Sequence, residues 1–425
     1  MTLDCGHPAD LDSTVRIPCA PSLLTLGLAA LGVGRLSAAP AVILETVATD
    51  LRNPVFVGNA GDSLGRLFAV EQRGVIKILD LEEGDEHSTL LDSRDQVDQR
   101  TEHGMRGIAF HPGYDGVNER RFYVNYSAEI GNNASESRLS MFRTRADNPN
   151  RAESTESVLL TLPQPSLVHD SGTLLFGPEP PGTNLYIGFG DGGPQGDPDR
   201  QGQNSETLFG AILRIDVDGG FPYGIPTDNP FAEPGDPGAD EILVMGVRNP
   251  WRFTIDAQTD SLLFVDVGEV DEEEINIVRL SALWSNTRRN NAGWSIFEGT
   301  RCFRPLEGCD PPEDFIAPHT VLSHVDICAT IGGPVYRGSA IPTLAGHFLF
   351  ADHCGGEILS LAPIGHGAWS TTPTPLGEIS TELSLASFGT DAEGEVYVCD
   401  RVEGEILKIL PDPNAIPAGA GVTLH

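Results

Sequence analysis

Three residues whose types suggest chemistry, His169, Asp170 and Ser171, stand side by side in the stretch "LVHDSGTLLFGP" (Leu167–Pro178). They are the residue types of a hydrolase triad, but the members of a triad converge from separate segments of a chain. No G-x-S-x-G turn surrounds Ser171 either. We therefore expect Asp170 and Ser171 to shape the loop, and His169 alone to take part in a reaction.

Two more residues are candidates to join His169 from farther along the chain. The segments "SGTLLFGP" and "NLYIGFGD" predict a hairpin that ends at Asp191, which would bring this carboxylate close to His169. A carboxylate orients an imidazole and raises its basicity, which prepares a general base. Arg248, in "MGVRNPWRF", lies at another strand-to-loop junction, where its paired N–H groups could hold an anionic cofactor or a developing oxyanion.

The elements that must position these residues are short strands. Three segments share one pattern, in which an apolar run, an acidic residue and a glycine-containing turn precede a second alternating strand: Arg66–Leu79, Phe348–Leu361 and Glu395–Ile409. The spacing of the last two matches the length of a four-stranded propeller blade. We predict an all-β fold, a six-bladed β-propeller with long inter-strand loops, in preference to a multi-sheet sandwich.

The composition limits the partners and the location of the protein. A formal net charge of −34 repels phosphates, so we expect no nucleic acid partner. The apolar stretch Ser22–Gly34 is too short to span a bilayer and suits the core of a signal peptide, which we assign to residues 1–41. We expect an exported protein, periplasmic or extracellular, without a membrane span in the mature chain. Residues 42–412 would form a single propeller and 413–425 a flexible tail.

The cysteines are consistent with export. Without the signal peptide they are Cys302, Cys309, Cys328, Cys354 and Cys399, and an exported chain keeps most of its cysteines in disulfides. We predict a Cys302–Cys309 bridge that closes a short loop, a second bridge Cys328–Cys354, and a buried thiol at Cys399. The alternative is a zinc site, but the chain has no C-x-x-C spacing.

The acidic loop "GDPDRQGQN" is a candidate for a cation site. It carries Asp197 and Asp199, and calcium takes several oxygen ligands. The alternative is a solvated acidic turn.

Ordered motifs along the chain carry a family resemblance. They are "EHGMRGIAFHPGY", "HDSGTLLFGP", "LYIGFGDGG", "LFGAILRIDVDG", "MGVRNPWRF", "DVGEVDEEEINIV", "NAGWSIFEG" and "GGPVYRG". From about Leu51 to Leu410 the sequence resembles the glucose/sorbosone dehydrogenase family, the soluble quinoprotein sugar dehydrogenases. The resemblance implies a six-bladed β-propeller that oxidises aldoses to lactones with pyrroloquinoline quinone and calcium.

The resemblance also implies roles for individual residues. His169 resembles the general base that takes the proton of the anomeric hydroxyl while hydride moves to the quinone, and Asp191 resembles the carboxylate that supports this base. Arg248 and Asn249 resemble residues that contact the quinone, and Arg248 is counted with the catalytic group. Glu102 stands where a side chain that contacts the sugar is expected.

The resemblance places calcium beside the cofactor, on the backbone carbonyls of Gly268 and Glu269. Two of the family's anchors for the quinone carboxylates have no counterpart here. Cys354 stands in the turn where the family has a lysine, and Ser380–Asp391 lacks the family's pair of arginines.

The segments "GTRCF" and "FADHCGG" resemble instead the hedgehog-interacting-protein-like ectodomains of the same family. We expect an exported oxidoreductase that acts on a small-molecule sugar and passes electrons to an acceptor that the sequence does not identify. The alternatives are a non-enzymatic extracellular propeller that binds carbohydrate or protein, and a metal-dependent lactonase on the same kind of fold.

Overall fold

The computed structural model describes residues 40–414, except 63, 83, 85, 286 and 378–382. Nearly all of the predicted signal peptide, residues 1–41, lies outside the described residues, and so do residues 415–425 of the predicted tail. The helical turns of the described part are α1 (Leu280–Leu283) and two short 3-10 turns, Gln201–Gln203 and Pro342–Leu344. None of these is long and apolar enough to cross a membrane.

The rest of the described chain is strands and loops. The strands, numbered along the chain, are β1 (Val42–Ala48), β2 (Pro54–Asn59), β3 (Leu67–Glu71), β4 (Val75–Ile78), β5 (Ser88–Asp92), β6 (Met105–Phe110), β7 (Arg121–Gly131), β8 (Ala134–Arg145), β9 (Asn148–Ala152), β10 (Ser157–Gln164), β11 (Leu174–Phe176), β12 (Asn184–Phe189), β13 (Ala211–Asp216), β14 (Ile242–Met245), β15 (Phe253–Asp256), β16 (Ser261–Asp266), β17 (Glu272–Arg279), β18 (Phe297–Glu298), β19 (Arg301–Cys302), β20 (Thr320–Ser323), β21 (Thr330–Val335), β22 (Phe348–Asp352), β23 (Ile358–Leu361), β24 (Pro363–Gly365), β25 (Ala368–Trp369), β26 (Thr374–Pro375), β27 (Leu385–Thr390), β28 (Val396–Asp400) and β29 (Glu405–Pro411).

Six antiparallel sheets of the described residues form the blades of a propeller. Blade I is β2–β5, blade II is β6–β10, blade III is β11–β14, blade IV is β15–β17 with β20, blade V is β21–β23 with β26, and blade VI is β27–β29 with β1. This arrangement confirms the predicted all-β, six-bladed propeller. The three segments that share a sequence pattern form the hairpins β3–β4, β22–β23 and β28–β29, which are the second and third strands of their blades.

The core lies between neighbouring blades. The second strands are apolar on both faces because each face packs against another blade, and every residue of β3, β12 and β16 is buried. One apolar cluster joins Phe68 of blade I to Phe110 and Phe122 of blade II, and the Phe68 and Phe110 ring centroids lie 4.7 Å apart. Each Å² of apolar surface buried between blades stabilises the folded propeller by roughly 25 cal/mol.

The first strand of each blade lines a central channel. Residues from the later part of all six first strands, and from turns that follow them, surround one cavity. Because strands alternate in direction within a blade, the loops that precede the first strands and those that follow the second strands share the opposite end. We call this opposite end the upper mouth, and the end with the cavity the lower mouth.

The ring closes with the first strand of the described chain. β1 pairs antiparallel with β29, from Val42 opposite Pro411 to Thr46 opposite Leu407. β1 thereby becomes the outer strand of blade VI, and one sheet holds both ends of the propeller.

Both predicted disulfides are present. Cys302–Cys309 closes the loop that follows β19, and Cys328–Cys354 joins the loop before β21 to the turn after β22. The bridged cysteines are bonded to one another and cannot bind zinc. Cys399 is a buried free thiol, as predicted, and burial raises its pKa to about 12.

Candidate active site

The loop before β11 holds His169 at the upper mouth. His169 and Ser171 have φ angles of 61° and 50°, which are uncommon for residues other than glycine, and His169 is buried. Gly190, which follows β12, approaches this loop closely, since a Cβ there would overlap the His169 carbonyl oxygen. The glycine permits the approach that brings Asp191, the next residue, to the imidazole.

Asp191 orients the imidazole. Its Oδ1 lies 2.6 Å from His169 Nδ1 and accepts a hydrogen bond from the Gly193 amide. Its Oδ2 accepts a hydrogen bond from Trp294 Nε1 at 2.8 Å. An ionised carboxylate only accepts hydrogen bonds, so the network assigns the proton to His169 Nδ1 and the lone pair to Nε2. Nε2 has no hydrogen-bond partner among the described residues.

The two neighbours of His169 hold the loop in place. Asp170 accepts a hydrogen bond from Arg106 Nη1 at 3.0 Å. Ser171 Oγ donates to the Pro250 carbonyl at 2.6 Å. Both side chains are buried, and these contacts agree with the loop-shaping roles expected for them.

Glu102 ties a second loop of the upper mouth to His169. Its Oε2 accepts a hydrogen bond from the His169 amide at 2.8 Å, and its own amide donates to the Leu167 carbonyl at 3.2 Å. The structure therefore brings Glu102 to the predicted base. Its second oxygen, Oε1, accepts no hydrogen bond from the described residues.

Arg248 contacts both Asp191 and Trp294, the first through its backbone and the second through its guanidinium. The Asp191 amide donates to the Arg248 carbonyl at 2.7 Å, and Arg248 Cζ lies 5.6 Å from the centroid of the Trp294 ring. The guanidinium is engaged within the protein. Its Nε and Nη2 donate to Glu269 Oε2 at 2.9 and 2.5 Å, and its Nη1 donates to the Val267 carbonyl. Its charge is therefore neutralised by Glu269.

Asn249 has an unpaired polar group at the same end of the channel. The backbone amides of Asn249 and Arg248 donate to the two oxygens of Asp266, each at 2.7 Å. The side-chain Oδ1 of Asn249 is buried and has no hydrogen-bond partner among the described residues. An unpaired buried acceptor costs about 1–3 kcal/mol, and a ligand that donates to it would remove this cost.

The loop after β16, which carries Gly268 and Glu269, is held by buried carboxylates. Glu298 Oε1 accepts the backbone amides of residues 269–272 at 2.6 to 3.2 Å, and Glu273 Oε1 accepts the Gly268 amide at 3.0 Å. The carbonyl oxygens of Gly268 and Glu269 accept no hydrogen bond from the described residues. They are therefore free to bind a cation.

Burial and neighbouring charges shift the pKa values of groups beside this loop. Loss of solvent, together with the charges of Glu273 and Glu298, raises the pKa of Glu274 to about 7. Burial also raises the pKa of Asp266 well above its usual range, and the charge of Glu274 adds to this effect. A hydrogen bond to Glu273 raises the pKa of His324.

The carboxylate of Asp197 is used inside its own loop. Its Oδ1 accepts the Gln201 amide, and its Oδ2 accepts the Gly202 amide and Ser295 Oγ. Burial raises the pKa of Asp197. Asp199 is exposed and shares none of these contacts. The second cation site stays a prediction, and this geometry adds no support to it.

The sequence patterns did not predict a role for two residues of the upper mouth, Trp294 and Arg401. Trp294 holds the buried carboxylate of Asp191. Arg401, in the turn after β28, donates from Nη2 to Gln72 Oε1 at 2.8 Å and forms no ion pair with a described carboxylate. Burial lowers the pKa of Arg401, and the charge of Glu102 acts in the opposite direction. The only signal for Arg401 was an arginine directly after an apolar strand, in a chain poor in cations.

Comparison with known proteins gives this geometry a family context. A family model described as Glucose / Sorbosone dehydrogenase matches residues 51–408. Hedgehog-interacting protein of Mus musculus is 28% identical over 423 residues, which cover 93% of this chain and 56% of that protein. Quinoprotein glucose dehydrogenase B of Acinetobacter calcoaceticus is 26% identical over 219 residues, which cover 47% of this chain and 41% of that protein. The chain spans about half the length of the curated relatives it matches.

A solved structure agrees with the fold. The soluble aldose sugar dehydrogenase of Escherichia coli, in its apo form, has a TM-score of 0.67 and 19% sequence identity to this chain. The match covers 88% of this chain and all of that one. At this identity the likeness is one of fold alone.

Proposed function

Because the chain belongs to the glucose/sorbosone dehydrogenase family, we propose that it is an exported enzyme that oxidises a sugar to a lactone at the anomeric carbon. The observation that carries this proposal is the contact of 2.6 Å between His169 Nδ1 and the buried carboxylate of Asp191. His169 Nε2 is the base that removes the proton of the anomeric hydroxyl. One relative is named a quinoprotein, and we extend that class of cofactor to this chain.

The protein's own part in the reaction is to accept and stabilise a proton. When Nε2 takes the proton, His169 becomes an imidazolium whose charge is stabilised by Asp191. Asp191 is shielded from water, so this attraction is screened less than at the surface. The Gly193 amide and the Trp294 indole fix the carboxylate in the required orientation. Glu102 Oε1 is an acceptor for a sugar hydroxyl at the same place.

Two polar groups of the upper mouth support the binding of pyrroloquinoline quinone there. Asn249 Oδ1 is a buried acceptor without a partner, and Arg401 is a guanidinium without a carboxylate partner among the described residues. We assign the cofactor to Asn249 and its neighbour Arg248, whose guanidinium keeps its ion pair with Glu269, and the carboxylates of the cofactor to Arg401, in place of the family lysine that Cys354 replaces. A quinone held by these residues would supply the acceptor for the hydride of the sugar.

Calcium completes the proposed site. The unpaired carbonyls of Gly268 and Glu269 would bind it, because calcium prefers oxygen ligands. The backbone amides of residues 269–272 donate to Glu298 and that of Gly268 donates to Glu273, which holds the loop in one conformation before any cation binds.

We further propose that the mature protein is periplasmic or extracellular. The two disulfides support this location, since such bonds persist in oxidising compartments.

Turnover by protein loaded with the quinone and calcium tests the proposed reaction. We expect dye reduction and lactone formation with at least one member of an aldose panel. His169→Gln should lower kcat by roughly 10²–10⁴-fold, the usual contribution of a general base, and should leave quinone affinity unchanged.

The matched control is His319→Gln. The His319 imidazole contacts the Ser370 carbonyl beside the outer strand of blade IV, so its loss should leave the rate unchanged. The proposal is wrong if the loaded wild-type protein oxidises no aldose, or if His169→Gln keeps the wild-type rate. Turnover of a lactone with calcium alone would favour a metal-dependent lactonase instead.

A second candidate function, protein binding, is favoured by apolar side chains near the disulfides. Leu306, inside the Cys302–Cys309 loop, is 80% exposed, and Val325, shortly before Cys328, is 94% exposed. Exposed apolar groups mark protein contact surfaces when they form a patch, and one relative is named Hedgehog-interacting protein. Calorimetric titration with the quinone and calcium separates the two functions, because a pure binding module gives no saturable heat.

A further inference from the structure

Arg252 lies in the central channel, directly before β15. It has a φ of 71° and is only 5% exposed. Its Cζ lies 4.8 Å from the ring centroid of Trp251 and 5.7 Å from that of Phe56. Its Nη2 donates to the carbonyl oxygens of Val55 and Arg106. The side chain thus links blade IV to the first strands of blades I and II.

The charge of Arg252 has no counter-charge among the described residues. Its Nε is buried without a hydrogen-bond partner, and no described carboxylate pairs with its guanidinium. Burial lowers its pKa to about 10, so it is still charged at neutral pH. The buried thiol of Cys399 stays neutral there, since its pKa is raised to about 12. Arg106 differs, because it pairs with Asp170 at 3.0 Å.

A large cavity lies beside Arg252. It has a volume of about 530 Å³, whereas a water molecule takes about 30 Å³ of the liquid. Its wall includes the side chains of Phe253, Phe388 and Ile108. It opens to solvent at the lower mouth, where Ala257 is exposed.

The wall of this cavity contains no aspartate and no glutamate. The chain as a whole has 61 Asp and Glu against 27 Lys and Arg, so an acid-free wall with a buried guanidinium differs from the rest of the protein. An unpaired buried charge costs several kcal/mol, and a bound anion would offset that cost. The wall also includes polar residues such as His111 and Asn59, and largely apolar walls with a few placed polar groups are typical of sites for small organic ligands.

We propose that the cavity at the lower mouth binds a small organic monocarboxylate, with its carboxylate on Arg252 and its apolar part against Phe253 and Phe388. Nη1 of Arg252, which has no partner among the described residues, is the donor that faces the ligand. Arg252 lies at the upper end of this cavity, which extends from there to the lower mouth, and the wall includes neither His169 nor Asp191 nor Asn249. The two proposals therefore rest on different residues, and either can fail without the other.

Calorimetric titration with benzoate tests this site in the full chain at constant ionic strength. We expect saturable binding with one site per chain, at least about 10-fold tighter than binding of benzamide, which has the same shape without the charge. Arg252→Met should weaken benzoate binding by about 10-fold or more. The control Arg143→Met removes a half-buried guanidinium of β8 that is not part of the wall, and should change nothing.

A second pair of variants keeps the test decisive if Arg252→Met fails to fold. Ala257→Trp adds bulk at the rim of the cavity and should weaken benzoate binding, whereas Gln258→Trp, at the exposed neighbouring position outside the wall, should not. The proposal is overturned if wild-type protein shows no saturable binding, if benzamide binds as tightly as benzoate, or if Arg252→Met binds like wild type. Chloride that binds as tightly as benzoate would also overturn it, because the apolar walls would then contribute nothing.

Discussion

We expect the substitution Asp191→Asn to destabilise the folded protein, because asparagine cannot keep all three hydrogen bonds that Asp191 accepts at the upper mouth. Asp191 accepts hydrogen bonds from His169 Nδ1, the Gly193 amide and Trp294 Nε1. Asparagine offers one acceptor oxygen and one NH₂ donor. If the oxygen stays toward His169 and Gly193, the NH₂ group faces the N–H of Trp294, and two donors meet. The reverse orientation places the NH₂ group against two donors instead of one.

The size of the effect follows from these contacts. An unsatisfied buried donor costs about 1–3 kcal/mol, and replacing charge-assisted hydrogen bonds by neutral ones costs about 1–2 kcal/mol more. We expect Asp191→Asn to lower the free energy of unfolding by about 2–5 kcal/mol. At about 2.1 cal/mol/K of unfolding entropy per residue, and with roughly 375 residues in the folded unit, Tm should fall by about 3–6 °C.

A double-mutant cycle measured by calorimetry or denaturant unfolding checks the cause. Trp294→Phe removes the donor that the introduced amide would meet, so Asp191→Asn should cost about 1–3 kcal/mol less in that background. Trp369→Phe is the control, because Trp369 is also buried and donates to the Gly346 carbonyl far from this site. Its effect should add to that of Asp191→Asn. If the Trp294 pair is also additive within about 0.5 kcal/mol, the reasoning is refuted.

Unfolding experiments check three further outcomes. Glu298→Ala removes the acceptor of four backbone amides and should lower the free energy of unfolding by about 3–5 kcal/mol; a loss below about 1 kcal/mol would contradict this. The pKa of Glu274 is about 7 in the folded chain against 4.5 as its ordinary value. The folded state therefore keeps a proton that the unfolded state loses, so this group makes stability fall as pH rises from about 4.5 to 7. Glu274→Gln should show a smaller fall of Tm than wild type over that range, and equal falls would contradict the assignment. Replacing both cysteines of Cys328–Cys354, which are 26 residues apart, by serine should cost about 3–4 kcal/mol. The same change at Cys302–Cys309, 7 apart, should cost about 1 kcal/mol less, and the reverse order would argue against loop entropy as the cause.

Local features of the sequence predicted much of the fold. Alternation of apolar residues within Arg66–Leu79 and its two similar segments is a property of neighbouring residues, and each segment is a hairpin of the second and third strands. The contact between His169 and Asp191 followed from the same logic, since a hairpin joins β11 and β12. The disulfides were also predictable, because cysteine positions limit the loops that can close.

Partner choice between distant loops was not predictable in this way. The sequence did not predict that the Arg248 guanidinium pairs with Glu269. The sequence also did not predict that both oxygens of Asp197 accept backbone hydrogen bonds. Arg401 of blade VI approaches Gln72 of the neighbouring blade I. Such pairings depend on how the blades are arranged around the channel, and the local sequence pattern does not predict that arrangement.

Because β1 pairs with β29, blade VI can be completed only after β29 has been made. In a chain made from its amino terminus, β1 is made before the other described strands, and its partner β29 is made after them. Until then β1 has an unpaired edge, which can pair with another chain, and closing so long a loop slows folding. The final pairing of these two strands therefore completes blade VI and also removes an aggregation hazard. Substitutions that weaken the pair should reduce the yield of folded protein more than they alter either mouth of the channel.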